Sequence, residues 1–261
     1  MSNASEELVV QQDEGLVILR LNRPERLNAL SPGILKRMES EVPRLVSTPH
    51  VRAIMLTGAG RAFCAGADVG SMAGPSNAEA ILAGMRSYHP WLKALWASEK
   101  LVITAVNGAA AGGGFGLAMM GDLILASEHA FFKAAFTTLG LAADFGLAFT
   151  LPRVVGATRA AEMLFGDRRV DAREALAIGM ISRLFPAESF AADALEFARA
   201  MARTPRGAQL TKRLLRLGQT EAFARYLEIE AQTQAEAFQS GDFIEGITAF
   251  REHRTPVFQG R

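Results

Sequence analysis

The chain has 261 residues, of which 49% are hydrophobic and 21% are charged, so it has enough apolar material for a large folded core. Its 28 basic and 27 acidic residues leave a formal net charge of +1, so we expect neither a nucleic acid nor a membrane as its partner. Cys64 is the single cysteine, which excludes an internal disulfide and a cysteine-rich zinc site. We therefore expect a cytoplasmic protein without a metal centre.

Hydrophobic periodicity over the first half of the chain predicts strands that alternate with helices, which favours an α/β fold with parallel strands. One helix begins at Ser31-Pro32, where serine can cap it and proline is tolerated, and Pro43 is expected to kink or end it. The apolar stretch 101–125 contains many glycines and two polar residues, which is typical of a core segment rather than a membrane span. Strands are predicted at residues 16–22, 51–57, 101–106 and 122–126, and helices at 34–45, 85–96 and 115–120.

From residue 189 onward the sequence shows only helical patterns, at residues 190–203, 209–217, 221–238 and 243–252. We therefore predict a core domain of residues 1–185 and a C-terminal helical module of residues 186–261. Residues 201–218 carry five basic and no acidic side chains, which we interpret as a solvated helix face opposite Leu210, Leu214 and Leu217.

Two turns of small residues follow predicted strands, at residues 61–68 and at Gly112-Gly-Gly114. The glycine run lacks the lysine and Ser/Thr of a phosphate-binding loop and the third glycine of a dinucleotide-binding turn. If the two strands are neighbours in one sheet, one backbone N–H group from each turn can converge on a single oxygen and stabilise an oxyanion. Close packing of a helix against a strand is the alternative explanation of the glycine run.

Several motifs occur in an order that is typical of one protein family. They are Arg23-Pro-Glu-Arg-Leu-Asn-Ala-Leu30, Phe63-Cys-Ala-Gly-Ala-Asp68, Val106-Asn-Gly-Ala-Ala-Ala-Gly-Gly-Gly114, Leu151-Pro-Arg153 and Glu245-Gly-Ile-Thr-Ala-Phe250. From about residue 8 to residue 258 the chain resembles the enoyl-CoA hydratase/isomerase (crotonase) family. The resemblance implies a crotonase (ClpP-like) fold of repeated β-β-α units, with the CoA site in the core and the helical module at a subunit interface. It also implies that the chain forms a homo-trimer or hexamer and acts on an acyl-CoA thioester. Since CoA is then part of the substrate, no separate cofactor is expected.

The resemblance also implies roles for individual residues. The backbone N–H groups of Ala67 and Gly113 match the family's donors to the thioester oxygen, and Ala65 and Asp68 lie beside Ala67 in the same turn. Asp68 is expected to cap or orient that loop rather than to move a proton. Three further groups of residues are substrate-binding candidates. Arg26 is expected near the nucleotide phosphates, and Phe250 and Arg254 near the adenine, which in many family members they reach across a subunit boundary. A hydrophobic or aromatic acyl group is expected to be surrounded by Phe115, Phe136, Phe145 and Trp91.

The acid/base residues differ from the pattern of the family's hydratases, which carry two glutamates. Gly116 and Phe136 occupy those positions here, and neither side chain can transfer a proton, so efficient hydration is not expected. Asp144 lies in a Gly-Leu-x-x-Asp-x-Gly segment that resembles isomerase-type members, including ring-opening isomerases of phenylacetyl-CoA degradation, in which this aspartate is the general acid/base. Apolar neighbours should raise its pKa toward neutral pH. A turn-forming or helix-capping aspartate is the alternative interpretation.

The sequence therefore predicts an acyl-CoA isomerase that moves a double bond, or opens a strained ring, through an enolate. Two alternatives remain: an enoyl-CoA hydratase with an atypical site, and a non-catalytic acyl-CoA-binding protein. Hydration of crotonyl-CoA, rather than double-bond migration in a 3-enoyl-CoA, would indicate the hydratase. Binding of acyl-CoA without exchange of its α-protons with deuterated water would indicate the non-catalytic protein. The four histidines are far apart and lack the spacing of metal ligands, and only His89, near two tryptophans, is a further candidate.

Overall fold

Residues 6–68 and 77–259 are described by the computed structural model of the chain. Over these residues the backbone forms two sheets surrounded by helices, in agreement with the predicted α/β class. The strands are β1 (Leu8–Asp13), β2 (Leu16–Leu21), β3 (Ala53–Gly58), β4 (Ala62–Cys64), β5 (Leu101–Val106), β6 (Ala109–Ala111), β7 (Leu123–Ser127), β8 (Phe131–Lys133), β9 (Val170–Asp171) and β10 (Arg183–Phe185). The helices are α1 (Pro32–Ser47), α2 (Ala78–Ala97), α3 (Gly113–Ala118), α4 (Leu147–Val155), α5 (Ala157–Phe165), α6 (Ala172–Ala177), α7 (Phe190–Ala202), α8 (Arg206–Arg216), α9 (Thr220–Ala237) and α10 (Gly241–Arg251).

The larger sheet has six described strands in the order β1-β2-β3-β5-β7-β10. β1 and β2 form an antiparallel pair, and the other neighbours are parallel. The smaller sheet has the order β4-β6-β8-β9, in which only β9 is antiparallel to its neighbour. Each of β3, β5 and β7 is followed by a short strand of the smaller sheet and then by a helix, so the unit β-β-α occurs three times.

The connection from β5 to β6 shows why small residues are needed between the two sheets. A Cβ atom on Gly108 would lie 2.0 Å from the carbonyl oxygen of Arg61, so no other residue fits there without a shift of the backbone. Asn107 donates from Nδ2 to the carbonyl oxygens of Gly60 and Ala62, at 2.8 and 3.1 Å, and ties the two connections together. As a result β4 and β6 pair side by side, and the turns that follow them become neighbours.

Helix α1 is regular through Pro43, which corrects the expected kink or end at this residue. Ser31 caps the helix as predicted, because its hydroxyl accepts from the backbone N–H of Ile34 at 3.1 Å. The helix continues to Ser47 because its apolar side is buried along its whole length, and this packing outweighs the hydrogen bond that proline cannot make. The buried apolar side consists of Ile34, Met38, Val42 and Leu45.

The C-terminal helices begin and end within three residues of the predicted bounds, and they pack on the rest of the chain. α7 covers one face of the larger sheet through a second core cluster, and α9 lies along α2. α10 contacts a 3-10 turn at Thr137–Leu139. No helix in the described ranges is both long enough and apolar enough to span a membrane.

Helix α8 agrees only in part with its prediction as a solvated basic helix face, because Arg206 and Arg213 are exposed but Lys212 is not. Lys212 is buried, and its Nζ donates to Asp122 at 2.7 Å and to the carbonyl oxygen of Lys100 at 2.6 Å. Leu214 and Leu217, by contrast, are 66% and 75% exposed. The ion pair with Asp122 fixes this orientation, so the chain presents an apolar helix side to its surroundings.

Candidate active site

A cavity of about 600 Å³ opens between α1, α2, the two small-residue turns and the loop that precedes α4. Its walls are largely apolar and are completed by α9, which contributes Gln234 and Phe238. Seven residues proposed from the sequence line this cavity: Ala65, Ala67, Trp91, Gly113, Phe136, Asp144 and Phe145.

The two turns approach each other closely at one side of the cavity. Gly66 has a φ of +92°, and a Cβ atom there would lie 2.8 Å from the carbonyl oxygen of Ala111 and 3.4 Å from the nitrogen of Gly113. Glycine is therefore required at Gly66 both by its conformation and by this contact. The close approach puts Ala67 and Gly113, which follow the paired strands β4 and β6, on the same wall of the cavity.

The backbone N–H groups of Ala67 and Gly113 are available to a ligand. Ala67 forms an isolated bridge with Leu30, but this bridge uses the carbonyl oxygen of Gly66 and the N–H of Asp68. Gly113 is the first residue of α3, so its N–H has no acceptor within the helix and lies at the positive end of the helix dipole. Within residues 6–68 and 77–259, neither N–H donates to another group.

Asp144 faces the same turn from the loop before α4. Its Oδ1 atom lies 3.4 Å from the position that a Cβ atom on Gly113 would take. Oδ1 is buried and has no hydrogen-bond partner in the described part of the chain, whereas Oδ2 is 3.4 Å from Nε2 of Gln234. Burial raises the pKa of Asp144 to about 7, as its apolar neighbours suggested. A carboxyl with this pKa can both accept and donate a proton near neutral pH.

The space beside Gly116 is filled by the Asp144 loop. A Cβ atom on Gly116 would lie 2.6 Å from Cβ of Phe145 and 3.0 Å from the carbonyl oxygen of Asp144. A side chain at this position, and a glutamate above all, is therefore incompatible with the observed path of the loop. Phe136, at the second position, lines the cavity with its ring.

Aromatic side chains form one wall of the cavity. The rings of Tyr88 and Phe145 are stacked with centroids 4.6 Å apart, and Trp91 is tilted against Phe145 at 6.0 Å. The prediction that Phe115 lines this pocket is wrong. α3 directs its ring away from the cavity, toward β8, where it is fully buried against Phe132 at 5.4 Å.

Four further candidates lie outside the cavity of the single chain. Arg26 is exposed in the 3-10 turn Pro24–Arg26, and Phe250 is exposed on α10. Arg254 is held by Glu245, with Nη1 to Oε1 at 2.6 Å. Asp68 pairs with Nη1 of Arg23 at 3.0 Å, which agrees with its expected part in orienting the loop.

The sequence did not point to three polar residues on α9. Glu230 accepts from the backbone N–H of Gly146 at 2.9 Å, and Gln234 bonds both the N–H and the carbonyl oxygen of Ala142 at 2.9 Å. Tyr226, one turn before Glu230, lies beside them. The three residues are spaced four residues apart and interrupt the apolar side of α9. Polar residues on an apolar helix side were the signal in the sequence that could have pointed to them.

Two residues noted in the sequence have a structural explanation. His89 is buried and does not line the cavity, and burial lowers its pKa to about 4, so it is uncharged at neutral pH. Cys64 is fully buried, and burial raises its pKa to about 12, which makes it unreactive. Among the described residues, no group of His, Cys, Asp and Glu is arranged to hold a metal ion.

Comparisons with known proteins agree with the sequence motifs. The pattern of the enoyl-CoA hydratase/isomerase family matches residues 11–261. The chain is 39% identical over 250 residues to a probable enoyl-CoA hydratase of Rhodobacter capsulatus, covering 95% of this chain and 96% of that protein. It is 36% identical over 253 residues to 1,2-epoxyphenylacetyl-CoA isomerase of Escherichia coli, covering 95% and 97%. A crystal structure of an enoyl-CoA hydratase from Mycobacterium avium subsp. paratuberculosis matches with a TM-score of 0.87 and 31% identity, over 97% of this chain and 98% of that one, which confirms the predicted crotonase fold.

Proposed function

Because the chain belongs to the enoyl-CoA hydratase/isomerase family, we propose that it is an acyl-CoA isomerase that moves a double bond, with Asp144 as the proton shuttle. One observation carries this proposal. Among the described residues that line the cavity, Asp144 is the only acidic one with a buried, unpartnered carboxyl oxygen, and this Oδ1 atom lies toward Gly113. The exposed Glu39 is the other acidic residue of that lining.

A single carboxylate is sufficient for this reaction. Asp144 takes a proton from the α-carbon of a 3-enoyl thioester, and the electron pair of the broken C–H bond passes to the thioester oxygen, which gives a dienolate. The protonated Asp144 then returns the proton to the γ-carbon while the carbonyl re-forms, which leaves the double bond between the α- and β-carbons. Such a positioned acid/base contributes about 10²–10⁴-fold to the rate.

The N–H groups of Ala67 and Gly113 hold the negative oxygen of the dienolate. Both lie on the wall that Asp144 faces, so one thioester can contact the donors and the base together. In known oxyanion sites each such donor contributes roughly 3–4 kcal/mol to the transition state. The same donors and base serve the opening of a strained ring, since this also passes through an enolate.

The lining of the cavity supports a large apolar acyl group. Tyr88, Trp91, Phe136 and Phe145 provide flat apolar surfaces beside Asp144, which suits a ring or a conjugated chain. The exposed Lys36 also lines the cavity and is a cation available to the CoA phosphates, together with Arg26 outside it.

The experiment compares two reactions of the purified chain. We expect migration of the double bond in 3-enoyl-CoA thioesters and exchange of α-protons with deuterated water, tested over short, long and aromatic acyl groups. Hydration of crotonyl-CoA should stay below about 10 per second, a median enzymatic rate, because Gly116 and Phe136 provide no second acid/base.

An enoyl-CoA hydratase is the second candidate, favoured by the name of the Rhodobacter capsulatus relative. Rapid hydration of crotonyl-CoA with slow double-bond migration would select it. Tight binding of acyl-CoA without any α-proton exchange would instead indicate a non-catalytic acyl-CoA-binding protein.

A further inference from the structure

A second buried carboxyl, that of Glu230, holds the loop that carries Asp144. Phe145 and Gly146 both have left-handed backbone conformations, with φ of +52° and +69°, and for Phe145 this conformation is strained. Oε2 of Glu230 accepts from the N–H of Gly146 at 2.9 Å, and Gly146 is the residue that precedes α4. Glu230 therefore holds the strained turn that leads into α4 and directs Asp144 to the cavity.

Gln234 holds the other side of the same loop, one helical turn further along α9. Its amide exchanges two hydrogen bonds with the backbone of Ala142, and its Nε2 also approaches Oδ2 of Asp144 at 3.4 Å. One side of α9 thus holds the chain on both sides of Asp144, so the two carboxyls belong to one rigid arrangement.

No cation of residues 6–68 and 77–259 is paired with either of these two carboxyls. Neither Asp144 nor Glu230 forms an ion pair within the described ranges, and Oε1 of Glu230, like Oδ1 of Asp144, is buried without a partner there. Among the described residues, the other titratable groups that interact with the pair are Tyr88 of α2 and Tyr226 of α9, and Arg153 of α4 acts on Tyr226. Burial raises the pKa of both tyrosines, so they stay neutral, and Arg153 donates to the carbonyl oxygen of Phe149.

The pair therefore cannot lose both protons at neutral pH. Burial, and then the charge of Asp144, raises the pKa of Glu230, and the hydrogen bonds from the N–H group of Gly146 and from Tyr226 lower it by less. Burial also raises the pKa of Asp144. Glu230 is 4% exposed and lies outside the cavity lining, whereas Asp144 reaches the cavity, so Glu230 is the member that retains its proton when the first proton is lost. The pair then carries one proton and one negative charge.

We propose that Glu230 is a positioning residue that keeps the single proton of this pair, so that Asp144 is the member that ionises and acts as the base. Only the expected effect on the rate rests on the proposed isomerase function; the protonation of Glu230 does not depend on it. When Glu230 also ionises, two uncompensated carboxylates repel each other across the contact between α9 and the loop, and Asp144 leaves its place facing Gly113. Loss of this proton thus sets the upper pH limit of proton transfer.

The first test needs no turnover. At pH 8 the infrared spectrum of the whole chain should show the carbonyl band of a protonated, buried carboxylic acid. The band should be absent from Glu230→Gln and present in Glu236→Gln, the same change on an exposed part of α9. In Asp144→Asn the band should disappear at a lower pH than in the wild type, because the neighbouring charge is gone. Absence of the band from the wild type, or identical titration in Asp144→Asn, would overturn the inference without reference to any variant's activity.

The second test is the pH dependence of isomerisation. The wild-type rate should fall below about pH 7 and above about pH 9. Glu230→Gln should still lose activity at acid pH, as the wild type does, but should not lose activity at alkaline pH. Between about pH 7 and about pH 9 its rate should stay within about threefold of the wild-type rate, because glutamine is neutral like the protonated glutamate. A purely structural role would lower the rate at all pH values alike, and an unchanged alkaline limb would refute the effect on the rate. If the wild type shows the infrared behaviour but no isomerisation, the proposed function fails while the carboxyl pair stands.

Discussion

Replacement of Asp144 by asparagine should lower activity and, at alkaline pH, improve stability relative to the wild type. Asparagine has nearly the same shape, and its amide oxygen can still accept from Gln234. It cannot take a proton, so isomerisation and α-proton exchange should fall by about 10²–10⁴-fold. Binding of acyl-CoA should persist, since the N–H groups of Ala67 and Gly113 remain.

The stability change follows from the raised pKa of Asp144. The folded chain retains this proton up to about pH 7, whereas the unfolded chain releases it near pH 3.8, so wild-type stability falls as the pH rises through this interval. At about 1.4 kcal/mol per unit, full ionisation costs the folded state roughly 4 kcal/mol, of which about 2–3 kcal/mol arises between pH 5 and pH 8. Asparagine does not ionise and avoids this loss. The amide nitrogen left without a partner costs about 1–3 kcal/mol, but equally at both pH values.

Denaturant unfolding of both proteins at pH 5 and pH 8, together with rates at pH 8, measures both effects. Asp193→Asn is the control substitution, because Asp193 lies on α7, outside the cavity lining, and should not alter the rate. A variant with the wild-type rate would show that Asp144 only shapes its turn. A free energy of unfolding that differs from the wild type by the same amount at both pH values would show that the buried carboxyl is not the cause of the pH dependence.

Gly113→Pro should lower the rate of isomerisation about 10²–10³-fold, because it removes an N–H that holds the oxyanion. Gly113→Ala is its control, since it keeps the N–H while its Cβ atom comes equally close to Phe145, at 3.0 Å, and it should retain far more activity in the same assay. Gly116→Ala should destabilise the chain by about 1–3 kcal/mol in denaturant unfolding, since its Cβ would overlap Phe145, and an unchanged midpoint would contradict the observed path of the loop. The exposed apolar side of α8 leads us to expect a trimer or hexamer in sedimentation, and Leu214→Glu should weaken it, whereas a monomer at all concentrations would refute that role.

The sequence predicted the parallel strands and the position of Asp144, because long apolar strands and ordered motifs are properties of short stretches of chain. Periodicity did not predict the smaller sheet, whose strands β4, β6, β8 and β9 have only two or three residues; only the family resemblance, with its β-β-α units, implied such short strands. The assignment of Phe115 to the cavity is wrong because the direction of a side chain on a short helix depends on how that helix packs, which the sequence does not show. Glu230 and Gln234 were missed because their partners are backbone groups 84 and 92 residues away in the chain.

The missing side chain at Gly116 limits the substitutions by which this site could acquire a second acid/base. The Asp144 loop lies in the space that a residue at 116 would use, and α9 holds that loop through Glu230 and Gln234. A mutation that introduced glutamate at 116 would therefore meet an occupied site and would damage the chain before it could provide a new chemistry. A glutamate at 116 therefore requires the loop and its contacts from α9 to change together, and no single substitution provides it.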